Sequence, residues 1–124
     1  MPKLVYIAHP IAGNVEENVR DILKICKEIH TPDIIPIAPY LIAIQYLKDR
    51  LTEERELGIV ANIEFFRRKL MDEIWLCGPR ISAGMREEIK LGLAHKIPIK
   101  CHNTELQTDL DELEEQYNQN RIPK

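Results

Sequence analysis

Hydrophobic and polar positions follow two rhythms along this chain. Short apolar runs at Lys3–Ala8, Ile34–Ile37, Ile74–Cys77 and Ile97–Lys100 are separated by stretches in which apolar residues recur every three or four positions. The runs are too short for helices and are stopped by His9-Pro10, Pro39 and Gly78-Pro79, so they predict short strands buried on both faces. Pro36 suggests an edge position or a short strand for the second run, and Pro98 is typical of an edge for the fourth, where a missing N–H is tolerated. Between the first two runs, Val15, Val19, Ile22, Cys26 and Ile29 form one helical stripe. Asn14, with Glu17 three residues on, supplies a capping-box-like start. Thr52 reads as the cap of a longer helix, with Glu53, Glu54 and Glu56 in its first turn and Arg67, Arg68 and Lys69 at its end, matching the helix dipole. Ile59, Ile63, Phe66 and Leu70 give that helix its inward face. Met85, Ile89 and Leu93 define a third helix. Thr104 with Gln107 reads as a capping box for a last one, whose stripe is Leu106, Leu110, Leu113 and Tyr117. Tyr40–Leu47 is apolar at nearly every position, which predicts a buried helical segment or a subunit contact, and hence a homodimer or larger assembly.

Strands alternating with helices predict an α/β fold: one doubly wound parallel sheet of four to five strands, Rossmann-like or flavodoxin-like, with helices on both faces. Residues 1–117 form the single domain and 118–124 a frayed tail. In such sheets ligands bind beyond the carboxyl ends of the strands, where strand order reverses. That edge would gather the loops His9–Gly13, Pro39-Tyr40 and Gly78–Gly84, bringing Tyr6, His9, Gly13, Arg80, Ser82, Gly84 and Glu88 around one crevice.

Composition narrows the chemistry. A net charge of −3 and a pI near 5.8 argue against a nucleic-acid partner, which selects a basic excess. Cys26, Cys77 and Cys101 are odd in number and far apart, and predict reduced core thiols rather than disulfides or a metal site. No leader-like pattern opens the chain and no apolar run approaches the ~18 residues of a membrane span, so the expected location is the cytoplasm, with no membrane partner. The first strand is not followed by Gly-x-Gly-x-x-Gly, and no His/Asp/Glu cluster has metal-ligand spacing. No cofactor or metal is expected.

The densest chemistry lies between Asp72 and Ile99, where a strand feeds a helix through a Ser/Gly loop. Free amide groups at such a helix start can hold an anion. Glu88, six residues after Ser82, falls one to two turns into this helix. The positive end of the dipole there would keep its carboxylate ionised, which suits a nucleophile. The plainer alternative makes Glu87 and Glu88 solvated residues of an N-terminal turn.

Tyr6-Ile-Ala-His-Pro-Ile-Ala-Gly13 resembles the opening strand and glycine-containing loop of the nucleoside 2-deoxyribosyltransferase-like superfamily. Ser82-Ala-Gly-Met-Arg-Glu-Glu88 resembles its nucleophile motif, and the likeness is greatest to the small prokaryotic and phage members. The resemblance spans about residues 3 to 100. It implies that Glu88 attacks the anomeric carbon of a nucleoside or nucleotide in a retaining displacement, through a covalent glycosyl-enzyme resolved by water or a second base. It also implies that Ser82 and Gly84 hold the 5′ group, and that Tyr6 lies beside sugar and nucleophile. Asn62 stands where the family carries an Asp that assists the departing base. An amide cannot donate a catalytic proton, so Glu64, Asp72 or His9 replaces it, or catalysis is weak, or the fold only binds. Three functions follow from this: an N-glycosidic transferase or hydrolase, a non-catalytic nucleotide-binding protein on the same scaffold, and an interaction protein with a vestigial crevice.

Overall fold

The computed structural model describes residues 1–121. Four strands, β1 (Lys3–Ala8), β2 (Ile34–Ile37), β3 (Glu73–Leu76) and β4 (Ile99–Cys101), form one sheet in the order β2-β1-β3-β4. Every pairing is parallel, with Tyr6 opposite Ile37 on one side and Ile74 on the other. Five α-helices connect and follow them: α1 (Val15–Ile29), α2 (Tyr40–Tyr46), α3 (Thr52–Arg67), α4 (Ala83–Ala94) and α5 (Gln107–Arg121). The chain winds outward from β1 in both directions, so the doubly wound expectation holds, with four strands. The proline-bearing β2 is an edge as expected. β4, the other edge, starts at Ile99 just after Pro98 rather than at Ile97, because Pro98 has no N–H to give the ladder.

Strand alternation divides the core in two. Val5 and Ile7 face α1, packing with Ile22, Ile25 and Ile29. Tyr6 and Ala8 face the opposite way, into a larger cluster with Phe66 of α3, Met85 and Ile89 of α4, and Leu106 and Leu110 around the start of α5. Each fully buried Val, Ile, Leu, Met or Phe side chain among these contributes roughly 1.5–3 kcal/mol of transfer free energy.

The helix starts show which local signals held. Asn14 caps α1 by accepting from the Glu17 amide at 3.2 Å, and its own amide donates to the Glu17 carboxylate at 2.7 Å. Ser82 caps α4 through the Met85 amide. Thr52 is not a cap: it is the first residue inside α3, and Leu51 precedes it without a side-chain bond. Thr104 is not one either. Asn103 accepts from the Glu105 amide and opens a 3-10 turn, Thr104–Leu106, that leads into α5. The Asn side chain, whose oxygen lies one atom farther out than that of Thr, reaches a nearby amide well, and that shifts the start by one residue. Helix α5 continues through Arg121, past the expected boundary at 117, and residues 122–124 of the expected tail lie outside the described residues.

The α2–α3 segment departs most from its expected burial. No residue of α2 is fully buried, and Ile42 and Tyr46 are exposed. Of the four residues given to the inward face of α3 only Phe66 reaches the core, while Ile59, Ile63 and Leu70 are exposed along with Leu57 and Val60. Apolar residues surround this helix on nearly every side, so periodicity alone could not choose the buried one.

Candidate functional site

The site is built on the side chain of Tyr6, at the centre of the sheet and completely buried. Its ring is held between the tilted rings of Phe66 of α3 and Tyr40 of α2, at centroid distances of 5.0 and 5.8 Å. Tyr40 is itself fixed by donating its hydroxyl to the Ile7 carbonyl of the same strand. So clamped, the Tyr6 hydroxyl meets two groups: the Glu88 carboxylate oxygen Oε2 and the Asn62 side-chain oxygen, the latter at 3.1 Å. Three elements that are remote in sequence, β1, α3 and α4, thus meet at one phenol oxygen.

Glu88 arrives there because of its place on α4. Met85, Glu88, Ile89 and Gly92 are the buried residues of that helix, at spacings of three and four that make one inward stripe. Gly92 lets the helix lie close: a Cβ there would come within 2.5 Å of Ile74. Glu88 therefore points into the interior and is only 9% exposed.

Burial decides its charge. Loss of water pushes the Glu88 carboxyl up to about 7, against the opposing pull of the Tyr6 hydrogen bond. The dipole of α4 was expected to keep Glu88 ionised. Dipole effects amount to about 0.3–1 kcal/mol, whereas burial of a carboxylate costs several, so burial wins and the group titrates near neutrality. Tyr6 is raised well above the ordinary phenol value, first by burial and then by the nearby Glu88 charge, and stays protonated. Tyr40 shifts the same way for the same reasons.

The other sequence-predicted residues divide between places. His9, the residue just after β1, is buried but turns toward α1, away from the Tyr6 centre. There its Nε2 lies 2.6 Å from the Asp21 carboxylate of α1 and its Nδ1 2.7 Å from the Pro10 carbonyl. With Asp21, Lys24 and Pro79 it lines a groove of about 340 Å³. A second groove of about 140 Å³ runs between Ile81 and Arg86 on one side and Asp109 and Glu112 of α5 on the other. Neither groove includes Glu88; Pro79 brings the Gly78–Gly84 loop beside His9 in the first, while Ile81 of the same loop lines the second. The loops do touch at Gly78, whose φ of +84° and whose 2.8 Å approach to Pro10 admit no side chain. Gly13 sits at φ +100° with open space beside it. Ser82 is half-buried as the α4 cap, while Arg80 and Gly84 face solvent at that helix start.

None of the residues considered as substitutes for the family acid contacts this centre. Glu64 bridges Arg67 and Arg68 on the surface of α3 at 2.7 and 2.8 Å. Asp72 accepts from the Leu4 amide near the amino end of β1. His9 is committed to Asp21. From α3, Asn62 accepts from the Tyr6 hydroxyl. Phe66 was expected only as a core residue and Tyr40 only as part of a loop at this edge, and Asp21 was not singled out. Phe66 lies four residues after Asn62, a spacing that could have joined them on one face; for Asp21, twelve residues from His9, no local signal exists.

A family model described as "Domain of unknown function (DUF7768)" matches residues 3–102. The match takes in all four strands and Tyr6, Asn62 and Glu88, and stops short of α5. Among solved structures the fold is similar to the "Crystal structure of conserved protein from Enterococcus faecalis V583", with a TM-score of 0.54 at 19% identity, covering 93% of this chain and 76% of that one. No curated protein gives a significant match.

Proposed function

We propose that this chain, which belongs to the DUF7768 family, is an enzyme that breaks the N-glycosidic bond of a nucleoside or nucleotide, with Glu88 as the nucleophile. The observation that carries this is the buried Glu88–Tyr6 pair, in which a carboxyl titrating near 7 meets a phenol held in place by packing. Structural carboxylates are ordinarily exposed or ion-paired. A buried one shifted toward neutrality and aligned by a single hydroxyl is the arrangement expected of reacting groups. The resemblance in sequence to deoxyribosyltransferase-like proteins adds the substrate class.

In the proposed reaction a Glu88 oxygen bonds to the anomeric carbon while the carbon–nitrogen bond breaks, and the base leaves with that electron pair and takes up a proton. Water, or a second base, then attacks the same carbon and releases Glu88, so the configuration is retained. Tyr6 holds the carboxylate in line and Tyr40 and Phe66 hold Tyr6. The half-buried Ser82 and the open Gly84 stand where the 5′ group would lie against the start of α4, with Arg80 beside them. The exposed apolar residues of α2 and α3 support a homodimer or larger assembly, and the protein would act in the cytoplasm on small molecules. Among the described residues no helix is long and apolar enough to cross a membrane.

A non-catalytic nucleotide-binding protein is the second reading. It is favoured by Asn62, which gives the departing base no proton, and by the protonated state that burial favours for Glu88 at lower pH. Incubation with deoxynucleosides and their 5′-monophosphates separates the two. The enzyme releases free base, and Glu88→Gln abolishes release; ligand binding without release of base by wild type supports the binding protein.

A further inference from the structure

Tyr6 has one hydroxyl proton and two acceptors within reach, the Asn62 oxygen at 3.1 Å and Glu88 Oε2. In a buried site that proton cannot be replaced by one from bulk water, so its direction has consequences at both ends. If it goes to Asn62, the Tyr6 oxygen is left as an acceptor, and Glu88 bonds to it only by donating, as a carboxylic acid. If it goes to Glu88, the carboxylate is the favoured form, and the Asn62 oxygen loses its donor. An amide can serve either state: turned by half a turn, its NH₂ group donates to the Tyr6 oxygen and directs the phenol proton to Glu88.

We propose that Asn62 is a positioning residue whose side-chain amide sets the direction of the hydrogen bond between Tyr6 and Glu88, and thereby whether Glu88 holds a proton. In the orientation observed, with oxygen toward Tyr6, the phenol proton has two acceptors, and turning it to Asn62 leaves Glu88 to bond the phenol oxygen as an acid. Release of the Glu88 proton to water accompanies the turn of the amide. An ionised carboxylate at position 62 could only accept, and would favour the acid form of Glu88, whereas the amide offers a donor or an acceptor without changing its own charge. The value of this for catalysis rests on the glycosidic function proposed above, because only the carboxylate can attack carbon. The titratable groups facing Glu88 are Tyr6 from β1 and Tyr40 from α2. Helix α3 brings Asn62 and Phe66, and the start of α5 brings apolar Leu106 and Leu110 to the same cluster.

The test is a titration of Glu88 in protein labelled with ¹³C at the glutamate carboxyl carbons, the Glu88 signal being the one missing in Glu88→Gln. Asn62→Leu leaves Glu88 as the only acceptor for the Tyr6 proton and lowers the midpoint by about one pH unit, while Asn62→Asp raises it by a similar amount. Asn62→Ala serves the first arm if leucine is not tolerated. In a Tyr6→Phe background, Asn62→Leu leaves the midpoint unmoved, because the connecting hydroxyl is gone. Shifts of the same sign in the Leu and Asp variants overturn the inference, as does an equal shift without the Tyr6 hydroxyl, or a wild-type midpoint at the ordinary carboxyl value. The readout needs no substrate. Failure to release base from any nucleoside would overturn the glycosidic function while these shifts stood, and unmoved midpoints in a protein that does release base would overturn the role of Asn62 alone.

Discussion

Replacing Glu88 by glutamine should stabilise the protein, and should do so only at higher pH. In the folded chain the carboxyl titrates at about 7, against an ordinary value of 4.5 when unfolded. Between those values the folded state holds a proton that the unfolded state has released. Folding stability contributed by this group is therefore fully present below pH 4.5, declines as pH rises to 7, and is flat above that. At ~1.4 kcal/mol for each pH unit the whole decline amounts to about 3 kcal/mol. Glutamine keeps the shape and a hydrogen bond to Tyr6 but has no charge to bury, so it removes the decline. Urea unfolding of both proteins at a series of pH values from 4.5 to 8.5, at one protein concentration, measures it. The difference in stability between variant and wild type should grow by about 3 kcal/mol from the acid to the alkaline end, or roughly 10 °C in melting temperature for a domain of this size. Other titrating groups are common to both proteins and cancel in the difference. A difference that does not change with pH would show that Glu88 is ionised throughout, and would refute the view that burial sets its charge.

Glu73 should behave in the opposite sense. Burial would raise it, but Lys3, Trp75 and Lys100 all donate to it and hold it at about 2. Its stabilisation is present above pH 4.5 and lost as pH falls toward 2, so Glu73→Gln should cost about 1–2 kcal/mol at pH 7 in urea titrations and progressively less on acidification. Both lysines are half-exposed, which keeps that figure small. Gly78→Ala places a Cβ 2.8 Å from the rigid Pro10 ring at a φ of +84°, and should destabilise by about 2 kcal/mol or more in the same assay. Val60→Lys with Ile42→Glu charges the exposed face of α2 and α3; light scattering should show the wild type as a dimer or larger at micromolar concentration and the variant as a monomer, and a monomeric wild type contradicts the assembly.

What could be read from the sequence was what local chemistry determines. Strands of four to six residues bounded by proline and glycine, and the Asn14–Glu17 start of α1, need no distant partner to be recognised. The separation of Tyr6 and His9 was not legible, because His9 lies just past the end of β1 and its direction is set by Asp21 of α1. The inward direction of Glu88 was legible in the stripe of Met85, Ile89 and Gly92. Its charge state was not, because it depends on Tyr40, Asn62 and Phe66, brought over it by α2 and α3 from more than twenty residues away in sequence. The same holds for α3, whose apolar surround hides which side meets the sheet, and for Asn103, which takes the cap from Thr104 by having the better reach to an amide.

The central claim is that Glu88 forms a bond to the sugar. Intact-protein mass spectrometry after brief mixing with deoxynucleosides or their 5′-monophosphates, followed by acid quench and peptide mapping, tests it most directly. The expected result is a mass increase of one deoxyribosyl group, or its 5′-phosphate, located on the peptide carrying Glu88, appearing together with free base and absent from Glu88→Gln. Release of base at an undiminished rate by Glu88→Gln, or a protein that binds these ligands with neither adduct nor release, would contradict it.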